Sequence, residues 1–157
     1  MIGDNMMQPF TEFGDLSDGE IRLVIKSVDE PDAEKGVSLR YGFSIIHMQG
    51  DEEIGVVYFA ADTSDRQYLR GHISYGVSPA YSGHNYAAKA CRLVRPVICM
   101  HKLDRVFIGA KYDNIASIRT IEKLGARLVA RNDLPNDEIW RTLQNEKIAM
   151  YLWNMDN

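Results

Sequence analysis

Between residues 20 and 28 the apolar side chains Ile21, Leu23 and Ile25 alternate with Arg22 and Lys26, the two-residue period of a strand with one buried face. Residues 41–48 and 54–61 read as two further strands joined by a hairpin turn through Gln49-Gly50-Asp51-Glu52-Glu53. Residues 29–36 form a polar loop, and residues 62–67 form another. A fourth strand runs over residues 71–77 and is halted by Ser78-Pro79. The period then changes. Over residues 83–103 the positions Ala87, Ala90, Cys91, Val94, Val97 and Ile98 recur at threes and fours, the stripe of an amphipathic helix. Pro96 within it removes one hydrogen bond and is expected to bend it. Residues 106–110 form a short strand, and residues 114–124 a helix closed by Gly125. Residues 127–130 and 147–153 read as closing strands joined by a loop through Leu134-Pro135-Asn136.

This order predicts a mixed sheet with helices packed on it, an α+β layered fold. Antiparallel pairing in the first half and a βαβ crossover in the second both follow from connection length. The 157 residues fit one domain over 19–157, preceded by an irregular polar arm over 1–18.

Composition narrows the function. Hydrophobic residues at 45% and charged residues at 25% match a globular, ordered chain. A net charge of −4 with scattered basic residues argues against nucleic acid, which needs a clustered cationic surface. No apolar run approaches the ~20 residues of a membrane span. The N-terminus lacks a basic start followed by an apolar stretch, so a cytoplasmic location is expected. Cys91 and Cys99 share one helix, where eight residues separate their Cα atoms by about 12 Å, beyond disulfide reach. Both are expected to be buried, reduced thiols. No His, Cys and carboxylate cluster has metal spacing, so no metal is expected.

The segment from Gly71 to Ala90, GHISYGVSPAYSGHNYAAKA, carries the chemistry. A strand stops at a proline, passes through small residues and feeds a long helix. The first amides of that helix have no intrahelical partner, and the dipole places partial positive charge there. Gly83 and Asn85 tolerate the dihedrals that let backbone approach an anion, so a phosphate or pyrophosphate suits the site. Many such turns bind nothing, and the loop alone leaves both readings open.

The same segment resembles the acetyl-CoA signature of the GNAT (general N-acetyltransferase) superfamily, Q/R-x-x-G-x-G/A after a strand ending in V-x-P. Val77-Ser78-Pro79 matches the lead-in, Gly83 the additional glycine of many members, and Ala87 the last position. Ser82 and Asn85 stand where the consensus has Q/R and the first glycine. A second stretch, residues 113–129, is similar to the family's later helix, N-x-x-S-x-x-x-x-E-K-x-G, at Asn114, Ser117, Glu122, Lys123 and Gly125. Capping and solvation account for each residue singly, but not for the two motifs together and in order.

The resemblance implies a GNAT-like, mostly antiparallel sheet with a V-shaped splay between the fourth and fifth strands and helices on both faces. It implies acetyl-CoA as co-substrate, its pantetheine arm along Tyr75, Gly76 and Val77. Its pyrophosphate would rest on the amides of Ser82, Gly83, His84, Asn85 and Tyr86, with Ala87 allowing close packing behind them and Asn114, Ser117 and Lys123 alongside. An amine would attack the thioester directly, which calls for an oxyanion donor near Val77, a thiolate acid and a proton path for the amine. Many members place a Tyr seven residues after the Asn; here that position is Ile121, so Ser117 is the candidate acid, with Tyr112 and Tyr81 in reserve. The fourth strand carries no carboxylate, leaving His72 or a water path to accept the amine proton.

Family members wall the acceptor site with one or two helices between the first two strands. Here residues 29–40 are too short for two, so an open acceptor side is expected, or one completed by the arm or by a second subunit of a homodimer. Small-molecule and protein amines both fit, and the sequence does not choose between them. A non-catalytic acyl-CoA-binding sensor on the same fold is the principal alternative. A nucleotide-binding α/β domain would need a parallel sheet from Glu20, against the hairpin pattern.

Overall fold

The computed structural model describes residues 9–36, 38–62 and 64–156. Strands β1 (Ile21–Asp29), β2 (Leu39–His47), β3 (Glu52–Ala61) and β4 (Ile73–Val77) pair in sequence order as an antiparallel sheet. Alternation dictates which face is buried. Leu39, Tyr41, Phe43 and Ile45 of β2 are buried, while Arg40 between them faces solvent. Ile21 and Leu23 of β1 follow the same rule. Ile25 does not; it is 42% exposed, at the uncovered end of an edge strand just before a bulge at Lys26.

The chain continues through helix α1 (Gln67–Arg70) into β4, then helix α2 (Tyr86–Met100), strand β5 (Arg105–Lys111), helix α3 (Ile115–Lys123) and the two-residue strand β6 (Arg127–Leu128). Helix α4 (Asp137–Asn145) and strand β7 (Ile148–Asn154) close it. β7 lies between β5 and β6 in a second antiparallel sheet. On β5, Val106, Ile108 and Ala110 join the main core beneath α2 and α3, whereas Phe107 joins a second cluster with Tyr68, Leu69, Ile139 and Leu143 of α1 and α4. Helices therefore cover both faces of this sheet. Among the described residues the first sheet is covered on one face only, by α2 and by Phe13 and Leu16 of the arm.

Three expectations need correction. Residues 134–147 are not one loop: Asn136 accepts a hydrogen bond from the Ile139 amide at 3.0 Å and starts α4, whose Ile139 and Leu143 are buried. Residues 67–70 form a helical turn, and Gly71 at φ +78° delays β4 to Ile73. Cys91 is buried, but Cys99 is exposed, because it lies on the solvent side of α2 next to the core residue Ile98. α2 runs through Pro96 without interruption. Residues 30–36 and 38 contain no helix, so the stretch between β1 and β2 is short and open. Residues 1–8 of the arm lie outside the described residues.

No ladder joins β4 to β5 among the described residues. They meet at one point. The His72 amide donates to the Phe107 carbonyl at 2.6 Å, and the Phe107 amide donates back to Nδ1 of His72 at 2.9 Å. Nε2 of His72 donates to the Asp62 carbonyl at 2.8 Å. Both ring nitrogens are thus occupied, in one neutral tautomer. On the other side of β4, Gly55 lets β3 come close: a Cβ there would stand 2.3 Å from the Gly76 carbonyl oxygen.

Burial holds the His72 pKa below its ordinary 6.5, since the charged ring is poorly solvated, although the Asp62 carbonyl and carboxylate partly offset this. His101 is lowered in the same direction by burial. The native state then binds fewer protons than the unfolded chain, so stability is complete above pH 6.5 and falls as the pH drops below it. Urea unfolding from pH 8 to 5 is expected to show this slope, and His72→Leu to remove part of it. The same variant strands the Phe107 amide and the Asp62 carbonyl and is expected to cost about 2–4 kcal/mol. A variant as stable as the parent, with the full slope, would contradict the role of this ring.

Candidate functional site

After Val77 the chain makes a one-turn 3-10 segment over Pro79–Tyr81, and the Ser82 hydroxyl donates to the Pro79 carbonyl at 2.9 Å. Two left-handed residues then turn it into α2: Gly83 at φ +85° and Asn85 at φ +64°. Asn85 makes no side-chain cap of its own helix. The first i→i−4 bond runs from the Lys89 amide to the Asn85 carbonyl at 3.0 Å, so the amides of Tyr86, Ala87 and Ala88 have no intrahelical acceptor. Ser82, Gly83, His84 and Asn85 are exposed and Ala87 is half-buried. A Cβ on Gly83 would meet nothing within 4 Å, so the mouth of the loop is open.

Charge is supplied from α3. Lys123 Nζ donates to Oδ1 of Asn85 and so stands beside the start of α2. His84 stacks on Tyr86 with centroids 5.4 Å apart, and the Tyr86 hydroxyl meets Nε2 of His47 at 3.0 Å. Lys89 turns away from the loop, paired with Asp18 and Glu20.

The register of β4 decides what its second edge presents. The Ser78 amide bonds Ile54, and the His72 carbonyl accepts from Ala60, so even-numbered residues are paired with β3. In an antiparallel ladder the odd residues then turn their backbone groups the other way. Those of Tyr75 and Val77 consequently face the side where β5 has departed. Ser74 and Gly76 are exposed on the outer face of the sheet.

Across this gap lies α3. Asn114 caps it, its Oδ1 accepting from the Ser117 amide at 3.2 Å. The Tyr75 hydroxyl reaches over from β4 to Ser117, 2.8 Å from its Oγ and 3.2 Å from its carbonyl. Burial pushes the Tyr75 pKa up to about 12 despite these bonds, so the phenol keeps its proton at neutral pH.

The structure therefore brings together Tyr75, Gly76 and Val77, the loop 82–87, and Asn114, Ser117 and Lys123. It leaves two candidates apart. His72 is 6% exposed at the root of the splay with both nitrogens bonded, and no lone pair remains for an amine proton. Tyr112 follows β5 and its hydroxyl donates to Oε1 of Gln144 at 3.0 Å, which ties it to α4. The sequence offered no sign that the Tyr75 side chain would meet Ser117, 42 residues away. Nor did it mark a cleft of about 950 Å³ on the outer face of the first sheet, lined by Arg40, Tyr58, Arg66, Gln67, Arg70 and Ser74 among others. That cleft occupies the side left bare by the short β1–β2 connection. Among the described residues no group of three or more His, Cys, Asp or Glu could hold a metal ion, and no helix is long and apolar enough to cross a membrane.

Removing the cap with Asn114→Ala is expected to cost about 1 kcal/mol in urea unfolding. Unchanged stability would show that the bond to the Ser117 amide holds nothing.

No curated protein sequence matches the chain significantly. Solved structures do share the fold. A GNAT-family acetyltransferase from Bacillus anthracis superposes with a TM-score of 0.54 at 20% identity, covering 74% of this chain and 67% of its own. Mycobacterium smegmatis RimJ, in complex with CoA-disulfide, gives 0.55 at 18% identity over 74% of this chain and 54% of its own. The ribosomal-protein-S5-alanine acetyltransferase of Vibrio fischeri gives 0.55 at 18%, over 75% and 63%. The chain thus spans less than two thirds of the length of the last two. The family model described as an acetyltransferase (GNAT) domain matches residues 2–127, which includes the splayed strands, the loop at Gly83 and the helix of Ser117 and Lys123, and the chain belongs to the GNAT family.

Proposed function

We propose that the chain transfers the acetyl group of acetyl-CoA to an amine. The observation that carries this reading is the continuity of donors: the unpaired edge of β4 at Tyr75 and Val77 runs directly into the open amides that start α2. A pantetheine arm contains amide groups that can complete such an edge as a short strand would. A pyrophosphate matches the amides of residues 83–88, where dipole and N–H groups act together, and Lys123 adds a full charge. Ser82 contributes no cation, so affinity rests on backbone and Lys123.

With the thioester held there, the Val77 amide lies on the gap side and suits the developing oxyanion. The amine attacks the carbonyl carbon, the C–S bond breaks, and Ser117 supplies a proton to the departing sulfur. His72 being fully bonded, the amine proton leaves through water. The outer cleft, which reaches Ser74 on β4, is the approach for the acceptor. Its openness suits a protein amine as well as a small one, and one neighbour in fold is named for a ribosomal protein substrate.

One observation favours a sensor that binds acyl-CoA without turnover: Ile121, at the family's Tyr position, is fully buried and apolar. Thiol release from acetyl-CoA with a panel of small and peptide amines separates the two. Turnover with any amine supports transfer, and binding without turnover across the panel supports the sensor. Ala87→Glu places a carboxylate against the cradle and is expected to weaken CoA binding at least about 100-fold, about 2.7 kcal/mol, with the circular dichroism unchanged. Undiminished affinity by calorimetry would remove the loop from the site.

A further inference from the structure

We propose that Tyr75 is a positioning residue for thiolate protonation, orienting the Ser117 hydroxyl and replenishing its proton. This rests on the acetyl-transfer reading above. The argument begins with hydrogen counts. The Tyr75 phenol has one proton and, on Ser117, two acceptors within reach, the carbonyl at 3.2 Å and Oγ at 2.8 Å. Ser117 also has one hydroxyl proton. When the Tyr75 O–H points to Oγ, the Ser117 O–H is released from this pair and free to turn toward a new acceptor.

The backbone of Ser117 is tied at its amide to the Asn114 cap. Thr120 also stands beside the Tyr75 hydroxyl, but its own proton is engaged by the Ala116 carbonyl at 3.1 Å, so it can accept from Tyr75 and not donate to a sulfur. Position matters as well. Tyr75 sits on the strand whose backbone groups face the gap, and its side chain crosses to the helix on the far wall. Any sulfur seated between β4 and α3 is then within the neighbourhood of the pair. Burial keeps the phenol protonated at working pH, so it stands ready as a donor.

The step balances without a further reagent. The amine nitrogen bonds to the acyl carbon and the C–S bond breaks. The sulfur takes the Ser117 proton, Ser117 Oγ takes the Tyr75 proton, and the phenolate recovers one from water, which has received the amine proton. Products are the amide and the free thiol of CoA.

Tyr75→Phe removes one oxygen atom and keeps the ring in its place. In the full chain this variant is expected to lower kcat for thiol release 10- to 100-fold, with the calorimetric Kd for acetyl-CoA within twofold. In a Ser117→Ala background the same change is expected to alter kcat by less than twofold, because its effect passes through Ser117. In mixtures of light and heavy water, kcat of the parent is expected to curve as two protons move together, and to become linear in Tyr75→Phe. A Tyr75→Phe variant at parental kcat, or one whose loss simply multiplies that of Ser117→Ala, overturns the role of Tyr75 while leaving acetyl transfer standing. A parent chain that binds acetyl-CoA and releases no thiol overturns both.

Discussion

Two neighbouring strands that decline to pair define this molecule. A sheet edge with unpaired N–H and C=O groups is ordinarily a liability, to be covered, charged or kept short. Here the edge of β4 opens inside the fold, and the sequence holds it open. His72 closes the root by lending Nδ1 to the Phe107 amide, a place where a backbone carbonyl would otherwise continue the ladder. Farther along, Tyr75 spans from β4 to Ser117 and joins the opposite walls through a hydroxyl pair instead of a strand pair. Between these two ties lie the free backbone groups of β4. The gap is therefore built from specific polar contacts.

The loop beyond β4 extends the same logic to charge. Left-handed Gly83 and Asn85 expose consecutive amides at the start of a 15-residue helix, and neither residue turns a side chain inward to cap them. Asn85 instead accepts from Lys123, so a cation from α3 is parked at the very place where an anion would neutralise it. Ser117 in the first turn of α3 and Lys123 in its last stand on one helix, so one rigid element relates the Tyr75 hydroxyl pair to the start of α2.

Legibility followed the range of the interactions. The alternation in β2 and the three-and-four spacing in α2 are local, and both elements appear where the pattern put them. The cap of α4 was equally local. Asn136, followed by Asp137 and Glu138 and then Ile139, Trp140 and Leu143, carries a full helix-start signature, overlooked because two closing strands seemed to account for the region. Ile25 and Cys99 failed for another reason: periodicity names a face, but only packing decides whether anything covers it. The open turn into α2 was legible because its left-handed residues, Gly83 and Asn85, are local signals. His72 as a pin and Tyr75 as a partner of Ser117 were not, since each depends on a chain segment some 35 or 42 residues away.

The bare outer face of the first sheet is the remaining consequence. With no helix at residues 30–36 and 38, the cleft beside Arg66, Gln67 and Arg70 is bounded by an acidic stretch of the β1–β2 connection on one side and by the basic turn α1 on the other. Asp62 anchors that turn: burial alone would raise its pKa, yet hydrogen bonds from Ser38, the Ser64 amide and Gln67 hold its carboxyl well below the usual range. It therefore stays ionised and keeps Arg66 in place. Because the Asp62 carbonyl also accepts from His72, which itself lines the cleft, one hydrogen bond ties the basic turn beside the cleft to the root of the splay.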